Sequence, residues 1–232
     1  MPDRDSPADL KADKERQITS SSLHLPRDQY RSMPWRNGLG VTREIAREPG
    51  ADAEYLWRLS LASVTASGPF SNYAGYRRSV TLIGGKGFRL AIGDQEPVTL
   101  DTVGATAFFP GDVQTGCVLI DGACSDLSLM VREPGTIISV VRIRDTVERE
   151  VPLVAGALKA VFCLAGGTLR THMAGPMAAS QAHADIELAA HDSVLLGPQT
   201  VSLSVPSFAI APLDLLLLTW TAASIEAPRD SL

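Results

Sequence analysis

The chain has 232 residues, 45% of them hydrophobic, with 21 Lys or Arg, 26 Asp or Glu and a net charge of −5. That is enough apolar mass for one large β domain or two small ones. The only adjacent basic pair is Arg77-Arg78, and no run of about 18 apolar residues occurs, so neither nucleic acid nor a membrane is an expected partner.

In chain order, "MPDRDSPADLKADKERQ" mixes both signs of charge and lacks the apolar segment of a secretory signal, so residues 1–20 are expected to be a disordered tail. "PRDQYRSM" (26–33) opens with Pro and shows no alternation, which predicts a short helix or an irregular turn. "PWRNGLGVTREI" (34–45) then crowds an indole, two arginines, an amide, a carboxylate and two glycines into one stretch. "YLWRLSLASV" (55–64) sets Leu59 and Leu61 against Arg58 and Ser60, the period of a strand with one apolar face. "FRLAI" (88–92) alternates in the same way. "GCVLIDG", "LSLMVRE", "TIISVVRI", "AVFCLAGG", "DIELAA", "SVLLG", "TVSLSV" and "DLLLLTW" follow, split by Gly, Pro, Asp or Ser. Short strands recurring every 8–12 residues or so predict a sandwich or barrel. Cys117, Cys124 and Cys163 lack paired ligand spacing and are read as packed thiols of a reducing compartment, hence a cytoplasmic protein. His172 and His183 fall in an expected solvated loop.

The chain echoes itself. "VTLIGGKGFRL" (80–90) resembles "VFCLAGGTLRT" (161–171), and "GATAFFPGD" (104–112) resembles "HDSVLLGPQ" (191–199). Two related β units account for this spaced similarity. A strand, a Gly turn, a strand and then Gly-x5-Pro-x-Asp is the layout of a cupin half-barrel. The expected fold is therefore all-β, a double-stranded β-helix with two related barrel halves (a bicupin). The halves span residues 21–140 and 141–225, with a tail over 226–232. A cupin metal site needs a His-x-His pair and further ligands converging from neighbouring strands. His24, His172, His183 and His191 form no such pair, so a metal-free protein without cofactor is expected.

"MPWRNGLGVTREI" resembles the signature of the HutD/Ves family, usually met as Trp-Lys/Arg-Asn-Gly-Gly-Gly-x-Thr-x-Glu-Ile. "WRLSLASVTASGPFSNYAGYRRSVTLIGGKGFRL" (57–90) is similar to the family's second block, and "FFPGD" (108–112) and "DLSLM" (126–130) to its later elements. Three departures stand out: Leu39 at a usual Gly, Arg77 at a usual acidic residue, and Leu127-Ser128 at a usual Phe-Asn. The resemblance implies a bicupin linked to histidine utilisation. It also implies a pocket for a pathway intermediate such as formylglutamate or urocanate.

A small anionic metabolite of this kind calls for cations, an orienting amide and an apolar wall. Arg suits carboxylates because its planar fork pairs them bidentately. The candidate ligand-binding residues are Trp35, Arg36, Asn37, Glu44, Arg58, Ser60, Phe70, Arg78, Asp112 and Asp126. Five of them have a plainer reading: Trp35 as a packing residue, Asn37 and Asp112 as turn residues, Arg58 as facing solvent or pairing with Glu44, and Asp126 as capping or bridging strands. Function divides in the same way: a metal-free binding protein that modulates histidine utilisation, a metal-independent isomerase or hydrolase using Glu44 or Asp112, or a partner-binding protein. A homodimer formed through strand edges is a further expectation.

Overall fold

The computed structural model of the chain describes residues 22–35, 40–50, 54–145, 150–174, 183–206 and 213–221. Strand β1 (Leu23–Leu25) and a 3-10 turn (Arg27–Gln29) precede β2 (Arg31–Pro34), β3 (Gly40–Pro49), β4 (Tyr55–Val64), β5 (Gly68–Pro69) and β6 (Tyr76–Gly84). Next come β7 (Phe88–Ile92), β8 (Val98–Leu100), β9 (Thr106–Pro110), β10 (Thr115–Leu119) and β11 (Cys124–Arg132). The remaining strands are β12 (Ile138–Asp145), β13 (Val151–Pro152), β14 (Leu158–Ala165), β15 (Gly167–Met173), β16 (His183–Leu188), β17 (Ser193–Leu196), β18 (Thr200–Ser204) and β19 (Leu213–Trp220). The stretch expected as a short helix or turn over 26–33 is the 3-10 turn followed directly by β2. His172 and His183, expected in a loop, lie on β15 and β16 and face each other across the ladder. Among the described residues, no helix is long and apolar enough to cross a membrane.

The chain divides into two units. The first runs from Arg31 to Ile138 and includes Trp220; the second takes the described residues up to Tyr30 and Ser139–Thr219. In the first, one sheet has the order β2-β3-β4-β11-β6-β9 and the other β5-β10-β7-β8. In the second, the orders are β1-β17-β14-β19-β12 and β13-β18-β15-β16. Strands β4 to β11 thus map in sequence onto β12 to β19. Both β4-β11-β6-β9 and β5-β10-β7-β8 recur in the second unit. This is the repeated double-stranded β-helix of a bicupin.

Each unit closes its own core between two sheets. In the first, Val64, Val80 and Leu82 meet Phe88, Leu90, Ile92, Leu100 and Cys117. In the second, Val161, Cys163, Val194 and Leu213 meet Leu169, Leu188 and Leu203. Strand β1 moves the expected boundary. Leu23 and Leu25 pair with Leu195 and Ser193 of β17, so residues 22–30 join the second unit rather than the first. Asp192 fastens this segment: His24 Nε2 lies 2.9 Å from its Oδ2, and the Arg27 N–H donates to its Oδ1 at 2.9 Å.

The period-two reading of β4 is right in spacing but incomplete about its faces. Leu59 and Leu61 are buried, and so is Ser60 at 2% exposure. The polar face of β4 looks into the first unit's interior rather than into water, and this is what positions the site.

Candidate functional site

Antiparallel register sets directly opposed residues on one face of the sheet. Across β4, β11 and β6, Met130 is opposite both Arg58 and Arg78. One rung therefore carries a guanidinium on each side of a thioether. The next inward rung on β11 sets Ser128 opposite Ser60 and Val80. The one beyond sets Asp126 opposite Ala62 and Leu82. Strand β3 extends that last rung, with Thr42 opposite Ala62, and β2 adds Met33 opposite Thr42. The alternation Asp126, Ser128, Met130 points three consecutive inward side chains of β11 into one space.

That space is a cavity of about 440 Å³ lined by Met33, Trp35, Thr42, Arg58, Ser60, Ala62, Pro69, Phe70, Ser71, Tyr73, Arg78, Asp126, Ser128 and Met130. Small-molecule sites commonly span ~300–1,000 Å³ and combine apolar walls with a few converging polar groups. This cavity meets both descriptions.

The two arginines are held by rings rather than by carboxylates. Arg78 is 7% exposed. Its Cζ lies 5.4 Å from the Phe70 ring centre, 5.2 Å from Tyr73 and 5.1 Å from Phe109. Arg58 Cζ lies 5.3 Å from the Tyr55 ring centre and 5.8 Å from Tyr73. Aromatic faces attract a cation without neutralising it. Arg78 donates from Nη1 to the Ser71 carbonyl at 3.1 Å, whereas the buried Nε atoms of Arg58 and Arg78 meet no acceptor among the described residues. Burial lowers the pKa of Arg78, but a guanidinium stays charged at neutral pH. Positive charge thus lies along the wall with unused donors.

Two glycines of the family motifs build this arrangement by close approach. A Cβ on Gly40 would lie 2.5 Å from the Ser63 carbonyl oxygen and 2.9 Å from the Trp35 ring. Glycine lets the indole lie against the start of β3, where Trp35 Nε1 donates to Thr42 Oγ1 at 2.8 Å and packs on the first unit's core. A Cβ on Gly111 would collide with the Tyr73 carbonyl. Gly111 O accepts the Tyr73 N–H at 2.7 Å, and the Gly111 N–H donates to Tyr76 O at 2.6 Å. The Gly-Asp turn therefore clamps the loop that lays Tyr73 over both arginines.

Asp126 is the acidic member of the lining, at 2% exposure. Burial pushes its pKa up to about 7, while the charge of Arg78 pulls it back. Its Oδ2 has no hydrogen-bond partner among the described residues.

Of the candidates named from sequence, Trp35, Arg58, Ser60, Phe70, Arg78 and Asp126 line the one cavity. Glu44 does not. It lies opposite Ser60, but the register shifts between Glu44 and Ala46, and its Oε1 sits 3.6 Å from Arg47 Nε. Asp112 is exposed on the turn after β9, where its carbonyl accepts from Asn72 Nδ2 at 3.1 Å. The acid–base pair of Glu44 and Asp112 therefore does not face a common space. Arg36 and Asn37 lie outside the described residues. The sequence reading missed Tyr73, Met33, Thr42, Ser128 and Met130. Ser128 and Met130 were legible from the alternation in "DLSLM"; Tyr73 sits in a loop with no period to reveal it. Two of the departures from the family pattern lie away from the cavity: Leu127 is fully buried on the other face of β11, and Arg77 is not among the lining residues. Among the described departures only Ser128 changes the wall, and Leu39 lies outside the described residues.

Cupin barrels suggest a metal, but the residues do not fit one. Among the described residues, no three His, Cys, Asp or Glu side chains converge, and the cavity offers two guanidinium cations beside one carboxylate. Cys117 is buried, and burial pushes its thiol up to about 12.

Fold and site together define a bicupin whose first barrel encloses a cavity of small-molecule size. The HutD family model matches residues 27–209, and the chain belongs to the HutD family, whose name links it to histidine utilisation. Over 112 residues it is 43% identical to an uncharacterized 21.2 kDa protein in the hutC 3′ region of Pseudomonas putida. That match spans 47% of this chain and 58% of the relative. A crystal structure of a conserved protein of unknown function from Pseudomonas aeruginosa PAO1 is 27% identical, with TM-score 0.72 over 88% of this chain and 100% of that one. The structure of HutD from Pseudomonas fluorescens SBW25, in a formate condition, is 25% identical, with TM-score 0.70 over 87% of this chain and 99% of that one.

Proposed function

We propose that the first barrel binds a small carboxylate of histidine catabolism, of the formylglutamate or urocanate class, and that this binding, rather than turnover, modulates histidine utilisation. The observation that carries the proposal is the rung Arg58–Met130–Arg78. Two guanidinium groups flank one inward position, backed by aromatic rings, and the buried Nε of each meets no acceptor among the described residues. A ligand carboxylate supplies the missing acceptors. Charged hydrogen bonds of this kind contribute roughly 1.5–3 kcal/mol each. The apolar part of the ligand lies against Phe70, Pro69 and Met33, and Ser60 and Ser128 offer hydroxyls between the ends.

Calorimetric titration of the purified protein with formylglutamate, urocanate and histidine tests this. Heat is expected with at least one of the first two, weakened ~100-fold in Arg58→Ala, which removes about 3 kcal/mol of charged contacts. No heat with any of them at millimolar concentration contradicts the proposal.

A further inference from the structure

The cavity has two chemically different ends, and only one is cationic. Asp126 and Met130 lie four residues apart on β11, ~13 Å along the strand. At the Met130 end the neighbours across the ladder are Arg58 and Arg78; at the Asp126 end they are Ala62 and Leu82. The next position outward, Thr42, already receives the Trp35 indole N–H. Asp126 is therefore a buried acceptor between apolar ladder neighbours, within reach of the charge of Arg78 but with an Oδ2 that nothing in the described protein satisfies. Native structures rarely leave such an oxygen unpaired. A second carboxylate brought there would meet like charge, so the ligand's acid group is steered to the arginine end.

We infer that Asp126 is the specificity-determining residue of this cavity: it accepts an N–H from the ligand end opposite the arginines, so the site selects carboxylates that also carry an amide or imidazole N–H over carboxylates that lack one. This rests on the reading that the cavity takes a carboxylate, and it adds which carboxylates. Among the described residues, the charged and titratable groups that act on Asp126 are Arg78 from β6 and Cys117 from β10, and Arg58 from β4 and Tyr73 from the loop before β6 share its cavity. Burial pushes Asp126 up to about 7, so at pH 8 it is mainly the ionised, accepting form.

The test uses matched ligands at pH 8 on the full chain: urocanate against 3-(2-furyl)acrylate, and N-formylglutamate against its N-methyl derivative. Each pair keeps the carboxylate and removes the N–H. Wild type is expected to prefer the N–H member of a pair by ~10-fold or more, because a buried acceptor built for a donor rejects the analogue without it. In Asp126→Ala the preference is expected to fall to about twofold or less, with Asp126→Asn, which keeps a weaker acceptor, between the two. Equal binding within each pair by wild type, or a preference that survives in Asp126→Ala, overturns the inference and leaves carboxylate binding intact. If no carboxylate binds wild type, the carboxylate reading falls, and the inference with it. Should Asp126→Ala fail to fold, the wild-type pairs and Asp126→Asn still decide.

Discussion

In the first unit, β11 turns Asp126, Ser128 and Met130 inward, and its neighbours add Arg58 and Arg78. In the second, the equivalent strand β19 turns Leu213, Leu215 and Leu217 into a core shared with Val161, Cys163 and Leu169. The echo that aligns Val80 with Val161 sets Lys159 where Arg78 stands. Lys159 is buried as well, but its Nζ donates to the Val154 carbonyl at 3.3 Å. Both cations donate to a backbone carbonyl, but Arg78 is also framed by three aromatic rings and keeps a buried Nε without an acceptor among the described residues. One strand order thus supports two interiors. Inward leucines make a packed barrel, and an inward acid, hydroxyl and guanidinium groups make a cavity. The second arrangement leaves buried polar atoms without partners among the described residues, which costs stability relative to a packed apolar core.

The sharpest way to break this comparison is to give the second barrel the first one's chemistry. Leu215→Asp is expected to cost roughly 3–5 kcal/mol, because it buries a carboxylate with no partner. Urea unfolding would measure the loss, and a cost under about 1 kcal/mol would show that the second interior is not the packed core described. Arg78→Ala works from the other side. It is expected to weaken carboxylate binding ~100-fold or more, or about 3 kcal/mol, in a calorimetric titration.

Asp126 supplies a pH-dependent test. Burial raises its folded pKa to about 7 from 3.8, so between those values the folded state holds more protons than the unfolded state. Its contribution to stability is most favourable below the unfolded value and is lost as pH rises through about 7. Asp126→Asn removes that loss. Relative to wild type it is expected to gain roughly 2–4 kcal/mol on going from pH 4 to pH 8, read from thermal melts at both. A difference independent of pH would place Asp126 in a solvated setting. Smaller again is Gly40→Ala, expected to cost roughly 1–3 kcal/mol by driving Trp35 off β3. A shift in tryptophan emission should accompany the lower melting temperature.

Much of the fold was legible because the signals were local. Alternation marked β4 and β7, glycine turns separated the strands, and the echo announced the repeat. Alternation also placed Arg58 with Ser60, but spacing alone does not say whether a polar face meets water or a cavity. That depends on which strands lie opposite, a property of register across distant segments. Tyr73 was missed for the same reason, since Gly111, far along the chain, holds its loop over the arginines. Glu44 keeps its register opposite Ser60 but lies beside Arg47 rather than among the lining residues, and that choice of partner leaves no mark in the hydrophobic pattern. Asp112 was chosen for its motif, whereas the work of that motif is done by the glycine before it.

A crystal structure of the protein grown with formylglutamate or urocanate tests the central claim most directly. The ligand carboxylate is expected within hydrogen-bond distance of both Arg58 and Arg78, under the Tyr73 ring. Ligand density in the second unit, or on the outer surface with both guanidinium groups untouched, would contradict it.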